Sequence, residues 1–300
     1  MRRPPTLRAD ARVALVAPAG PLRGAEDVQR AQSNVRSFAW SPVVGAHALD
    51  RAGYLAGGDE ARLADLNLAL ADDSIDAVWC LRGGYGVMRL LHQVNYDVLR
   101  QRPKPVIGYS DITALHAAIG TRCDVVTYHG PTARATLTSF SRASLERALG
   151  GDDPCGRAEH ASTLHTGRAR GRLAGGNLAI LSALCGTPYE PLYDDAVLVL
   201  EDVNEPVYRI DRMLTQLRLG GRLQRCAAIV FGAFTDAPAD APEESVGARS
   251  LEDVLAETAE VVGIPCIAGA PIGHIADQWT IPLGAAAELD ADARTLRIFE

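Results

Sequence analysis

Val106-Ile107-Gly108-Tyr109-Ser110-Asp111-Ile112-Thr113 joins a short apolar run directly to a helical one. Pro105 to Tyr109 reads as a buried strand, and Ile112 to Ile119 as a helix. A small polar residue at so sharp a strand-to-helix turn has the geometry of a nucleophile elbow, which exposes a Ser hydroxyl at the sheet edge. The match to G-x-S-x-G is incomplete, because Ile112 stands where the second Gly would be. The backbone N–H of Asp111 would lie at the positive end of the helix, where it can donate to a developing oxyanion. Ser110 or Asp111 capping the helix is the plainer use of the same residues.

The same alternation extends outward. Arg12 to Ala17 is a strand, stopped by Pro18-Ala19-Gly20-Pro21, and a helical stretch follows from Gly24 to Phe38. Pro42 to Ala46 is a second apolar run. Glu60 to Leu70 places Leu63, Leu66, Asn67 and Leu70 at helical spacing. Ile75 to Leu81 is a buried strand ended by Arg82-Gly83-Gly84-Tyr85-Gly86; Val87 to Leu91 begins a helix, and Val125 to Tyr128 is a further strand. Strands alternating with helices predict an α/β fold, a parallel sheet covered on both faces with ligands at the carboxyl ends of its strands.

Gly151-Asp152-Asp153-Pro154, Gly156 and Gly167 to Gly171 interrupt the pattern. They predict a linker over 151–170 between a first domain, 1–150, and a second, 171–300. The second half shows strands at Ala196 to Leu200, Ala227 to Phe231, Cys266 to Ala268 and Thr295 to Phe299. Its helices are expected at Asn177 to Leu184, Tyr208 to Leu217 and Leu251 to Val261, and Ala237 to Gly247 as an exposed loop.

Composition bounds the partners. The chain has 300 residues, a length that suggests two domains, and its 47% apolar and 22% charged residues are ordinary for a soluble protein. A net charge of -7 without a basic run argues against nucleic acid. No run approaches the roughly 20 apolar residues of a membrane span. Arg2-Arg3 is not followed by a signal-length apolar core, which predicts a cytoplasmic location with no membrane partner. The six cysteines are scattered singly without a C-x-x-C pair and read as buried thiols; no metal and no cofactor are expected.

A Ser nucleophile needs a base. Of seven histidines, His116 falls inside the helix after Ser110 and suits packing. His129, in Thr127-Tyr128-His129-Gly130-Pro131, and His274, in Ala270-Pro271-Ile272-Gly273-His274, each follow a strand; either could be base or scaffold. Glu201 directly follows Ala196 to Leu200, where a carboxylate can hold an imidazole in the required tautomer. The G-G-x-G spacing after Arg82 is wrong for a dinucleotide site. It suits a backbone nest for an oxyanion or a substrate carboxylate, with Arg82 adding a charge-assisted bond. A tight turn braced by Arg82 uses the same residues.

As an ordered set these segments resemble the LD-carboxypeptidase family over nearly the whole chain. The likeness is carried by Val16 to Pro21, Tyr54 to Asn67, Arg82 to Gly86, Gly108 to Asp111 and His129-Gly130-Pro131. Gly175-Gly176-Asn177-Leu178, Leu200 to Val203, Tyr208 to Leu214 and Gly273-His274 continue it in order. The resemblance implies a flavodoxin-like amino-terminal half and a smaller, β-rich α/β carboxyl-terminal half. It implies a triad of Ser110, His274 and Glu201; the residues themselves add oxyanion donors at the N–H groups of Asp111 and Gly84. Substrate contacts are expected at Arg82, Gly83, Tyr85, His129 and Asn177. It further implies a homodimer without metal that releases D-alanine from cytoplasmic murein tetrapeptide. A branch of that family hydrolyses microcin C-type aminoacyl-nucleotides, and Tyr189 and Tyr193 leave that substrate open. A non-catalytic peptide-binding protein of the same fold is the third reading.

Overall fold

The computed structural model describes residues 1–236 and 249–299. The loop expected at Ala237 to Gly247 lies outside them. Strands β1 (Arg12–Val16), β2 (Ser41–Val44), β3 (Ala77–Cys80), β4 (Val106–Gly108) and β5 (Thr127–His129) pair in parallel in the order β2-β1-β3-β4-β5. This is the flavodoxin-like order, whose switch point lies between β1 and β3.

Period-two alternation explains why these strands are apolar throughout. Ala14, Val16, Val78, Cys80 and Val106 face one side, against Leu66 and Leu70 of α2 (Asp59–Ala71) and Leu115 of α4 (Thr113–Cys123). Val13, Leu15, Ala77, Trp79 and Ile107 face the other, against Val28 and Val35 of α1 (Ala25–Ser37) and Leu145 of α5 (Ser139–Gly150). Instead of one helix from Val87, two 3₁₀ turns lead to the short α3 (Tyr96–Gln101), which Asn95 caps.

The second sheet is mixed. It begins with β6 (Gly156–Arg157), β7 (Ser162–His165) and β8 (Arg168–Asn177), so strand segments lie within the stretch expected as a linker. Strands β6 and β7 are short and form the two edges of the sheet, while β8 alternates Arg168, Arg170 and Arg172, none of them buried, with Ala169 and Gly171. Such a strand carries little apolar signal. Strands β9 (Ala196–Val203), β10 (Ala228–Thr235) and β11 (Cys266–Ala268) run parallel to β8. One face of this sheet packs on α6 (Leu178–Leu184), α7 (Val207–Leu219) and α8 (Leu251–Val262) through Leu181, Ile210, Leu214 and Leu255. Next, β12 (Ile281–Leu283) returns to the first sheet and pairs antiparallel with β5. The chain then completes the second sheet with β13 (Ala286–Asp290) and β14 (Thr295–Phe299). Ile281 and Leu283 share a core with Val197, Val199 and Val230, so one apolar cluster ties the two sheets. No helix among the described residues is long and apolar enough to cross a membrane.

Candidate active site

Three strand ends of the first sheet build one wall of the site. After β4 the chain turns at Ser110, whose φ of 66° is the left-handed region that a non-glycine residue enters at a cost on the order of 1–2 kcal/mol. A 3₁₀ turn, Ser110–Ile112, leads into α4. This is the strained strand–turn–helix expected of an elbow. The neighbouring Gly83 is buried, and its carbonyl accepts from Gly20 N at 3.0 Å, which joins the loops after β1 and β3 at the switch point. Gly84 and Tyr85 are exposed, and the Tyr85 ring meets that of Tyr54 edge-on at 5.6 Å.

Asp111 does more than offer an N–H. Its buried carboxylate accepts from Val87 N at 2.9 Å and so pins the far end of the glycine loop to the serine turn. Burial pushes its pKa up to about 6, against the hydrogen bond from Val87. Sequence reasoning missed this brace, because nothing in the spacing of residues 87 and 111 announces it.

The second sheet supplies the opposite wall. Glu201 lies within β9, fully buried, and its Oε2 accepts from His274 Nδ1 at 2.8 Å. A carboxylate holding the proton on Nδ1 leaves Nε2 of the neutral ring as a lone-pair acceptor. The approach depends on Gly273: φ there is 111°, and a Cβ would stand 2.8 Å from Glu201 Oε2. The His274 ring lies 4.7 Å from that of Tyr109, the residue before Ser110. The two walls are also tied by Asn177 N, which donates to Thr113 Oγ1 at 3.0 Å.

The remaining expected residues divide. Asn177 is drawn into the scaffold: Oδ1 accepts from Ile180 N at 3.2 Å to cap α6, and Nδ2 donates to Asp202 Oδ1 at 2.9 Å. Both ends of its amide are thus engaged in the scaffold. Burial pushes Asp202 up to about 6 against the donors Val203, Asn177 and Ala179. His116 is packed as expected, its Nε2 donating to Gly108 O at 2.8 Å, with burial lowering its pKa to about 4. His129 is buried beneath the site rather than open to it. Burial, then the imidazoles of His116 and His274, hold its pKa well below the usual value, so its ring is neutral.

Arg82 is half-buried and donates to the carbonyl of Pro21; no ion pair joins it to an acid among the described residues. Burial, then the charges of Arg134 and Arg23, lower its pKa. Tyr189 and Tyr193 are buried, and Tyr189 is bonded to His92 at 2.8 Å. Among the described residues no group of three or more His, Cys, Asp or Glu is placed to hold a metal ion.

Comparison with known proteins agrees with this architecture. Residues 13–130 match the LD-carboxypeptidase N-terminal domain, and residues 170–289 the LD-carboxypeptidase C-terminal domain. The chain is 38% identical over 301 residues to the murein tetrapeptide carboxypeptidase of Pseudomonas aeruginosa, covering 94% of each. A muramoyltetrapeptide carboxypeptidase from Oxalobacter formigenes superposes with a TM-score of 0.82 at 27% identity, over 96% of this chain and 98% of that one. The microcin self-immunity protein MccF, solved with glutamyl sulfamoyl guanosine, has a TM-score of 0.88 at 21% identity, over 99% of this chain and 98% of that one; it shares the fold. With both halves matched and close relatives along its full length, the chain belongs to the LD-carboxypeptidase family.

Proposed function

We propose that this chain is a serine carboxypeptidase that cleaves an L,D-amide bond and releases D-alanine from murein tetrapeptide. The observation that carries the mechanism is the Glu201–His274 hydrogen bond, with the His274 ring 4.7 Å from that of Tyr109, the neighbour of a serine held in left-handed backbone. In this reading His274 Nε2 takes the proton of Ser110 as the hydroxyl attacks the scissile carbonyl. Glu201 stabilises the imidazolium, and the N–H groups of Asp111 and Gly84 hold the oxyanion. The imidazolium then protonates the leaving amine of D-alanine, and water releases the acyl-enzyme by the same relay. The nucleophile comes from residues 1–150, and the base and carboxylate from 171–300.

The murein substrate is supported by the Pseudomonas relative, whose name states it. A microcin-type aminoacyl-nucleotide is the second reading. The aromatic side chains considered for it, Tyr189 and Tyr193, are buried and offer a nucleobase no face. Incubation with murein tetrapeptide, and in parallel with an aminoacyl sulfamoyl nucleoside, tests both by mass spectrometry. Release of D-alanine supports the proposal; turnover of the nucleoside conjugate alone overturns it. Turnover of neither would favour a peptide-binding protein of the same fold.

A further inference from the structure

Behind the Glu201–His274 pair, polar atoms with no hydrogen-bond partner among the described residues lie together. They are Glu201 Oε1 and both ring nitrogens of His129. His129 Nε2 lies 4.0 Å from Oε1, with the two side chains 1% and 0% exposed. Buried carboxylate oxygens and imidazole nitrogens are nearly always satisfied, by protein or by ordered water, and this facing pair stands close enough to bond directly after a small shift. The position follows from the sheet. His129 ends β5 in register with Gly108 of β4, which puts it directly beneath the serine turn. The rings of Tyr109 and His116 flank it at 6.1 and 6.3 Å, and His116 has already given its Nε2–H to Gly108.

We propose that His129 is a positioning residue of the catalytic relay: its Nε2–H is the second donor to Glu201 and closes onto Oε1 as His274 becomes charged. The inference rests on the Ser110–His274–Glu201 reading. The gap exceeds hydrogen-bond length, and a shift of about 1 Å brings it into range. The neutrality of His129 suits the task. A neutral donor steadies the carboxylate without cancelling the negative charge that the His274 imidazolium needs, whereas a cation there would cancel it. With both oxygens held, the carboxylate cannot rotate away from Nδ1. The other titratable groups around Glu201 are Tyr109, His116 and Asp202, and none of them donates to Oε1.

The test compares wild type with His129→Phe, which keeps a ring but no N–H, and His129→Gln, whose amide nitrogen reaches the place of Nε2. The readouts are thermal stability, the rate of covalent labelling of Ser110 by a fluorophosphonate, and the pH dependence of that rate. Labelling reports on the relay without depending on the peptide substrate. His129→Phe should melt no lower than wild type, since it removes two unpartnered buried nitrogens. It should label about 10- to 100-fold more slowly, the range seen for partners that orient active-site ligands. The acid limb should also move to higher pH, because the undivided charge of Glu201 then favours the imidazolium. His129→Gln should recover most of the rate. Labelling of wild type and His129→Phe at equal rates would overturn the proposal while leaving the triad standing. So would loss of rate and stability together in both variants with no movement of the acid limb. Failure of wild type to label at Ser110 would overturn the triad and this role with it.

Discussion

A Cβ built on Gly83 would stand 2.7 Å from the Cβ of Ser110 and 2.9 Å from its Oγ. The loop after β3 therefore packs directly on the candidate nucleophile, and only a residue without a side chain permits that approach. Gly83→Ala must displace the serine or open the loop. A displacement of about 1 Å at a reacting group costs on the order of 100-fold in rate. The variant should lose about that much kcat with its circular dichroism unchanged. Wild-type turnover by Gly83→Ala would mean that the loop yields and does not position Ser110.

Ser110→Ala should keep the fold and lower kcat by about 10⁴- to 10⁶-fold. His274→Ala should fall in the same range, because the base that takes the Ser110 proton is then lost. His129→Ala should be far milder, since His129 acts only through Glu201. Steady-state kinetics on the three purified proteins decide the order. If His129→Ala proves the more damaging histidine variant, the base is misassigned.

Arg82 spends one donor on the Pro21 carbonyl and has no acidic partner among the described ion pairs. We propose that its charge meets the substrate carboxylate. Arg82→Ala should lower kcat/KM for a peptide acid far more than for the corresponding C-terminal amide. An equal drop on both, together with a lower melting temperature, would reduce Arg82 to a brace for the loop at Pro21.

Asp111 provides a stability test with a defined sign. Its folded pKa of about 6 lies above the usual 3.8, so between those values the folded state holds more proton than the unfolded chain. That contribution is full below the lower value and is lost as pH rises through the upper one. Asp111→Asn keeps an acceptor for Val87 N–H and does not titrate. Urea unfolding from about pH 4 to about pH 6 should show wild type losing stability relative to the variant, by up to about 3 kcal/mol. A difference that stays flat across this window would show that the carboxyl titrates as if exposed.

The first sheet was legible because its strands are buried on both faces and short loops separate them from amphipathic helices. Residues 13–17, 77–81 and 105–107 are apolar without interruption, as a sandwiched strand requires. Much of the second sheet was not. Strand β8 alternates arginine with small residues, and β12 is three residues long and pairs with a strand some 150 positions earlier. No local pattern encodes a partner at that separation.

The candidate site divides along the same line. Sequence alone determined which residue types follow apolar runs: a serine before a helix, glycines after β3, and an acid and a histidine. Tertiary structure alone decided which of them meet. It set His274 rather than His129 on the outer side of Glu201 and buried His129 behind it. It turned the Asn177 amide inward as a cap and made the Asp111 side chain a brace for the glycine loop. The physical reason is that a side chain's chemistry depends on its burial and its partners, and those come from packing two sheets whose strands lie far apart in the chain.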